Sequence, residues 1–245
     1  MKKIILLLAF CLSVGNLFAQ DANADKLREE GDAAMTAKNY PEVVAKYSEY
    51  LKLTNYEDES RVFNCAFAAY NAKKYDDAIK FYDMAIQKGY KTDDAYVGKA
   101  MSLRSQDKAA DFTATVEAGL KANAQNANLE KLLYAYCMKK GQAAQKAGKT
   151  EEAEELFKDV LVVGNAKYKG NALYSLGVMF YNAGAKILAD ANPIATSDPD
   201  KYAAEKKKAD AQMAKAKGYL EQAIALNAAD ANSKKILDAI NAAAK

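Results

Sequence analysis

The chain has 245 residues, of which 51% are hydrophobic and 27% charged, with three Pro, no Trp and no His. That apolar content excludes a disordered chain, and the scarcity of Gly and Pro excludes a collagen-like one. The absence of His removes the commonest general base, metal ligand and pH switch, while a net charge of +3 singles out no class of partner.

Residues 1–19 read as an export signal. Met1-Lys2-Lys3 is a positive start, Ile4 to Phe10 is an unbroken apolar run, and Cys11 to Val14 stays mostly apolar. Gly15-Asn16 breaks the run, and Leu17-Phe18-Ala19 ends in a small residue before Gln20. Cleavage after Ala19 is expected. The run is shorter than the roughly 20 residues a membrane span needs. Lipid attachment at Cys11 is disfavoured, because bulky Phe10 stands where a small residue is wanted. The pattern resembles bacterial export signals, so the expected location is periplasmic, or secreted. Cleavage takes Lys2 and Lys3 away and leaves 33 basic against 32 acidic side chains. No later segment is long and apolar enough to span a bilayer.

The rest of the chain carries a repeat. Lys73-Lys74-Tyr75-Asp76-Asp77-Ala78-Ile79-Lys80-Phe81-Tyr82-Asp83-Met84-Ala85-Ile86 and Gly148-Lys149-Thr150-Glu151-Glu152-Ala153-Glu154-Glu155-Leu156-Phe157 share one pattern: two acids, Ala, and an aromatic four residues later. Tyr40, Tyr75 and Ala109 open the second helices of three units. Gly31, Ala66, Ala100, Gly141 and Gly177 supply a small residue to five first helices. Val43, Ala78, Phe112, Ala153 and Ala216 follow in the second helices, then Tyr47, Tyr82, Val116, Phe157 and Leu220. Small residues set opposite one another let two helices approach to about 8 Å, and each hairpin must stack on the next to bury its remaining apolar face. Val43, Tyr50 and Phe112 break the small-residue rule, which predicts altered packing in units one and three.

This pattern resembles the tetratricopeptide repeat. The resemblance implies an all-α, right-handed superhelical solenoid of antiparallel helix pairs over 20–245. The units are about 24–57, 59–92, 93–126, 129–167 and 169–228, with a cap over 230–245. The fourth first helix is expected over about Leu129 to Ala147. The fifth hairpin is extended. Its first helix begins near Lys169 and runs through Ala189, Asn192-Pro193 stops it, and Asp198-Pro199 restarts the chain as N-cap and first helical residue. A second helix from Pro199 to about Leu226 makes the tip project by a few turns. In the last helix, about Ala231 to Ala244, Ile236, Leu237 and Ile240 face inward and Lys234, Lys235, Asp238 and Asn241 outward.

In that frame Cys65 and Cys137 sit one whole repeat apart, beyond the roughly 7 Å a disulfide allows, so two free, buried thiols are expected. Asp190, Thr196, Ser197, Asp198 and Asp200 follow no calcium-loop order and read as turn and capping residues. Tyr56-Glu57-Asp58-Glu59 reads as a solvated connector. Lys201, Lys206, Lys207, Lys208, Lys215 and Lys217 interleave with Glu205, Asp210 and Glu221 as a solvated face with local ion pairs. Nucleic acid is excluded as a partner by the export signal and by the presence of only Arg28, Arg61 and Arg104. No phosphate-loop motif occurs, and the carboxylates Glu151-Glu152 and Glu154-Glu155 are neighbours on exposed faces. No enzymatic role, cofactor or metal is expected.

The resemblance implies peptide binding along the first helices. By register the candidates are Phe63, Phe67, Tyr70 and Asn71 in unit two, and Val97, Met101 and Arg104 in unit three. Unit four offers Met138, Gln142 and Gln145, and unit five Tyr174, Val178, Tyr181 and Asn182. The alternative is that the aromatics pack between adjacent first helices. Relatives that clamp an acidic chain terminus carry Lys and Asn where this chain has Arg28 and Asp32. The expected role is a non-catalytic adaptor for a protein or peptide. The alternative is an assembly subunit, homo-oligomeric or part of an outer-membrane complex, docking through 169–227.

Overall fold

A computed structural model of the chain describes residues 22–243. The export signal, its cleavage point and Cys11 lie outside the described residues. Among those described there is no strand. Helix α1 covers 22–36. It is followed by α2 (Tyr40–Leu53), α3 (Glu59–Asn71), α4 (Tyr75–Gln87), α5 (Thr92–Ser105), α6 (Ala109–Ala122), α7 (Ala127–Lys146), α8 (Thr150–Asp159), α9 (Ala166–Ala191), α10 (Pro199–Leu226) and α11 (Ala231–Ala243). The chain divides into two compact units between Gly119 and Leu120, inside α6.

In the first unit, each first helix ends the same way. Lys38, Lys73 and Asp107 adopt left-handed φ of 56°, 61° and 56°. One residue further on, the N–H of Asn39 donates to Ala34 O at 2.9 Å, Lys74 to Ala69 O at 2.8 Å and Lys108 to Leu103 O at 3.1 Å. This stop satisfies carbonyls that the helix end leaves orphaned and turns the chain within three residues, so the next helix runs back antiparallel. The backbone thus carries the same spacing as Tyr40, Tyr75 and Ala109.

The packing between paired helices differs from small against small. Gly31 on α1 seats the ring of Tyr47 on α2, and a Cβ there would stand 2.4 Å from Cδ1 and Cε1. The ring is pinned because its hydroxyl donates to Asp32 Oδ1 at 2.6 Å. Tyr82 on α4 has its seat on the following helix, α5: a Cβ at Gly98 would lie 2.2 Å from Cζ. Val43, Tyr50 and Phe112, the large residues at expected small positions, are all buried.

In the second unit, α7 begins where Asn126 Oδ1 accepts the Leu129 N–H at 3.1 Å. It closes on Gly148 at φ 75°, with the Lys149 N–H bonded to Ala144 O at 3.0 Å. Gly141 seats Phe157, whose Cε1 would be 2.6 Å from an added Cβ. The α9–α10 hairpin is longer, 26 and 28 residues against 20 and 10 in α7 and α8. Gly177 seats Leu220, a Cβ added at Gly184 would stand 3.0 Å from Ala209 O, and Phe180 stacks on Tyr219. These pairs descend along α10 as they ascend along α9, so the two helices are antiparallel.

α10 starts at Pro199 as expected, with Asp198 Oδ1 accepting the Lys201 N–H at 3.1 Å. α9 starts at Ala166 rather than Lys169, because Asn165 Oδ1 caps it through the Tyr168 N–H. The backbone just before is held by Glu130, a buried carboxylate whose Oε1 accepts from the N–H groups of Gly164 and Asn165. α11 packs on α10 and α9. It buries Ser233 and Ile240, half-buries Ile236 and Leu237, and turns Lys234, Lys235, Asp238 and Asn241 to solvent. Its last turns share a cleft of about 490 Å³ with Leu188, Tyr202 and Lys206 of the α9–α10 hairpin.

Candidate binding faces on the first helices

In the first unit, α3 buries Val62, Cys65, Ala66, Ala68 and Ala69. Ser60, Asn64, Phe67 and Asn71 fall at helical spacing on the other side, and none is buried. Phe63 and Tyr70 are half-buried and serve packing. Phe63 lies edge-on to Tyr82 at 5.8 Å and to Tyr90 at 6.2 Å, with the Lys91 ammonium 5.1 Å from its ring centre. Tyr70 leans on Tyr75 at 5.8 Å. Phe67 is different: it touches Tyr40 edge-on at 6.0 Å and leaves 42% of its surface in water. Asn71 Nδ2 donates to Phe67 O at 2.8 Å. On α5, Ala95, Gly98, Ala100, Ser102 and Leu103 are buried, while Val97, Met101 and Arg104 are half-buried.

The charges near the start of α3 are engaged with each other. Asp32 accepts from Arg61 Nη2 at 2.7 Å, Arg61 Nε at 3.3 Å and the Tyr47 hydroxyl at 2.6 Å. Burial alone would raise the Asp32 pKa, but the bonds from Arg61 and Tyr47 outweigh it and hold the carboxyl below its usual range. Arg28 pairs with Asp25 at 3.1 Å. Asp58, expected in a solvated connector, is the N-cap of α3: its Oδ1 accepts the Arg61 N–H and its Oδ2 the Tyr50 hydroxyl, both at 3.0 Å.

In the second unit Met138 is 9% exposed and belongs to the core, which removes it from the candidates. Its position on α7 faces the packed side, beside buried Cys137. Gln142 and Asn182 are exposed, and Gln145, Tyr174, Val178 and Tyr181 are half-buried. Tyr174 borders a cleft of about 530 Å³ with Lys167, Asn171, Leu226 and Asn227. Beside it, Tyr134 stacks on Tyr168 at 4.3 Å, and Asn171 Nδ2 donates to the Tyr134 hydroxyl at 2.8 Å. Sequence reasoning missed Asn64, Tyr134 and Asn171. The signal for Asn64 was its place three residues before Phe67.

Other groups are used locally. Cys65 and Cys137 are free and buried, as expected, and burial pushes both thiols up to about 12. On α10, Lys206 pairs with Asp210, Lys208 with Glu205 and Lys217 with Glu221. Lys215 lies 4.9 Å from the centre of the Phe180 ring. A cleft of about 480 Å³ in the first unit is lined mainly by the second helices α4 and α6, and Lys99 and Asp83 close on each other inside it at 2.6 Å. Among the described residues no cluster of His, Cys, Asp or Glu is placed to hold a metal, and no helix is long and apolar enough to cross a membrane.

Helix hairpins of this geometry, repeated at one interval, define a helical-repeat protein. A crystal structure of a TPR repeats protein from Bacteroides fragilis NCTC 9343 is similar to this chain at a TM-score of 0.84 and 44% identity, over 90% of this chain and 98% of that one. The chain belongs to the tetratricopeptide repeat proteins. It is also 30% identical over 154 residues to Hsp70-Hsp90 organizing protein 1 of Glycine max. That match covers 60% of this chain and about a quarter, 26%, of the plant protein. No family model matches the chain.

Proposed function

We propose that the chain is a non-catalytic adaptor that binds a protein or peptide segment on its first-helix faces, working in the periplasm after loss of residues 1–19. Repeat proteins of this kind use such faces as binding scaffolds. The observation that carries the reading is Phe67. It is a large aromatic side chain left 42% exposed on a helix whose other apolar residues are packed. Covering such surface stabilises a complex by roughly 25 cal/mol per Å². Half-buried Val97 and Met101 on α5 add apolar surface within the same unit, and the second unit offers half-buried Tyr174, Val178 and Tyr181 with exposed Asn182 on α9, and Gln142 and Gln145 on α7. The absence of His speaks for a binding role over catalysis.

A second reading rests on the length of α9 and α10: docking into an envelope complex, or onto a second copy, through 169–227. Crosslinked capture from the native envelope separates the two. Phe67→Ala with Met101→Ala should lose the partner, and deletion of 186–212 should keep it; the reverse would favour docking through the hairpin. Intact-mass analysis of the exported protein should give a chain beginning at Gln20. A mass retaining Met1, or a lipid on Cys11, would contradict the export proposal.

A further inference from the structure

The second helices of the first unit carry a face of their own. In repeats two, four and five the residue just before the large one of the second helix is Phe81, Leu156 and Tyr219. Phe81 is buried, and Tyr219 stacks on Phe180. Repeat three has Thr115 at this place, and it has Ala114 and Ala118 where repeat two has Lys80 and Met84. The side chains that α6 turns toward α4 are thus cut back, and a cleft of about 480 Å³ opens between the two helices. Its apolar wall is Ile79, Ile86 and Leu103, with Tyr96 beside them. The residues that α5 gives to it, Tyr96, Lys99 and Leu103, lie at helical spacing on a different side of that helix from Val97, Met101 and Arg104.

The charges on the rim do not balance. Lys99 Nζ holds Asp83 Oδ1 at 2.6 Å, and Lys108 Nζ holds Asp76 Oδ1 at 3.4 Å. Asp111 is the third carboxylate of the cleft; it is exposed and enters no ion pair or hydrogen bond among the described residues. The other α4 lysines, Lys80 and Lys88, do not line the cleft. From Tyr75 to Gly119 there are six basic and eight acidic side chains, although the chain as a whole carries +3. A cation entering the cleft meets a free carboxylate, whereas an anion must first draw a lysine away from Asp83 or Asp76.

We propose that this cleft docks a partner polypeptide through a Lys or Arg side chain next to a bulky apolar residue. The apolar residue fills the space left by Thr115, the aliphatic stem of the basic residue lies along Ile79 and Ile86, and its cationic head reaches Asp111. The inference goes beyond the adaptor reading and does not rest on it, since no candidate residue of the first-helix faces lines the cleft.

The test is an array of end-blocked dodecapeptides probed with the full mature chain. Each has a central pair, X beside Leu, Ile, Val, Met, Phe or Tyr, where X is Lys, Arg, norleucine or Glu. Norleucine keeps the lysine stem without its charge. Retention with Lys or Arg should exceed that with norleucine by at least about threefold, the scale of an exposed ion pair, and should exceed that with Glu by more. Asp111→Asn should erase the difference between Lys and norleucine. Thr115→Phe should remove most retention of the basic peptides, and Ala118→Met, at an exposed position, should weaken it. Phe67→Ala should leave it unchanged. Equal retention of Lys and norleucine peptides, or retention of none, would overturn the proposal. Basic retention that survives both Thr115→Phe and Ala118→Met, or that is lost on Phe67→Ala, would do the same. So would a wild-type dimer in sedimentation velocity that Thr115→Phe dissolves, because a second copy would then occupy the cleft.

Discussion

Gly31 and Gly170 are both helical glycines, and their surroundings give opposite expectations for the same substitution. A Cβ at Gly31 would meet the Tyr47 ring at 2.4 Å, and that ring is tied by its hydroxyl to Asp32; at Gly170 nothing lies within 4 Å. Gly31→Ala should therefore cost about 1–3 kcal/mol by overpacking. Gly170→Ala should gain up to about 1 kcal/mol from helix propensity. Urea unfolding of the two variants checks the pair, and a neutral Gly31→Ala would show that the seat is loose. Lys73 sits at a left-handed φ of 61°, so Lys73→Gly should stabilise the chain by about 0.5–1 kcal/mol. Burial holds the Cys65 and Cys137 thiols protonated up to about 12. Above the ordinary thiol pKa the unfolded chain has released protons that the folded one keeps, so this contribution to stability falls as the pH rises toward 12. At pH 8 neither thiol should react with a disulfide reagent until the chain is unfolded; prompt reaction of the native protein would contradict their burial. Asp32 works in the other direction. Its lowered pKa adds stability above the usual carboxylate range, and this is lost as the pH falls through the folded value. The positions of Gly31, Gly141 and Gly177 were legible because the repeat register isolates them. Gly98 was not, because its ring comes from the helix before it, two residues out of register with Ala100. Exposure at Phe67 and burial at Met138 were equally illegible, since register fixes a helix face but not how closely the neighbouring side chains cover it.

At the scale of elements, the boundaries that carry their own chemistry were the legible ones. Asp198-Pro199 supplies a cap and a preset φ, and α10 runs over the expected Pro199–Leu226. The start of α9 lies three residues earlier than expected, because Asn165 caps it and the caps depend on Glu130, 35 residues upstream. No local pattern announces that a carboxylate on α7 will hold the backbone ahead of α9. Asp198→Ala should cost about 1 kcal/mol, the value of one N-cap. Asp58→Ala should cost more, because Asp58 caps α3 and also accepts the Tyr50 hydroxyl. Thermal unfolding of the two variants side by side checks the order. Equal losses would mean that the Tyr50 bond adds nothing.

At the scale of the whole molecule, the large apolar side chains left exposed among the described residues are Phe67 on a first helix, Val162 just after α8 and Leu226 at the end of α10, and Phe67 is the aromatic one. The adaptor reading therefore concerns where a partner lies, and amide hydrogen exchange reads that directly. With the crosslink-identified partner bound to the full mature chain, new protection should concentrate in 59–71 and 92–105, the helices that present Phe67 and Met101. Protection confined to 186–212, with those two helices unchanged, would contradict it.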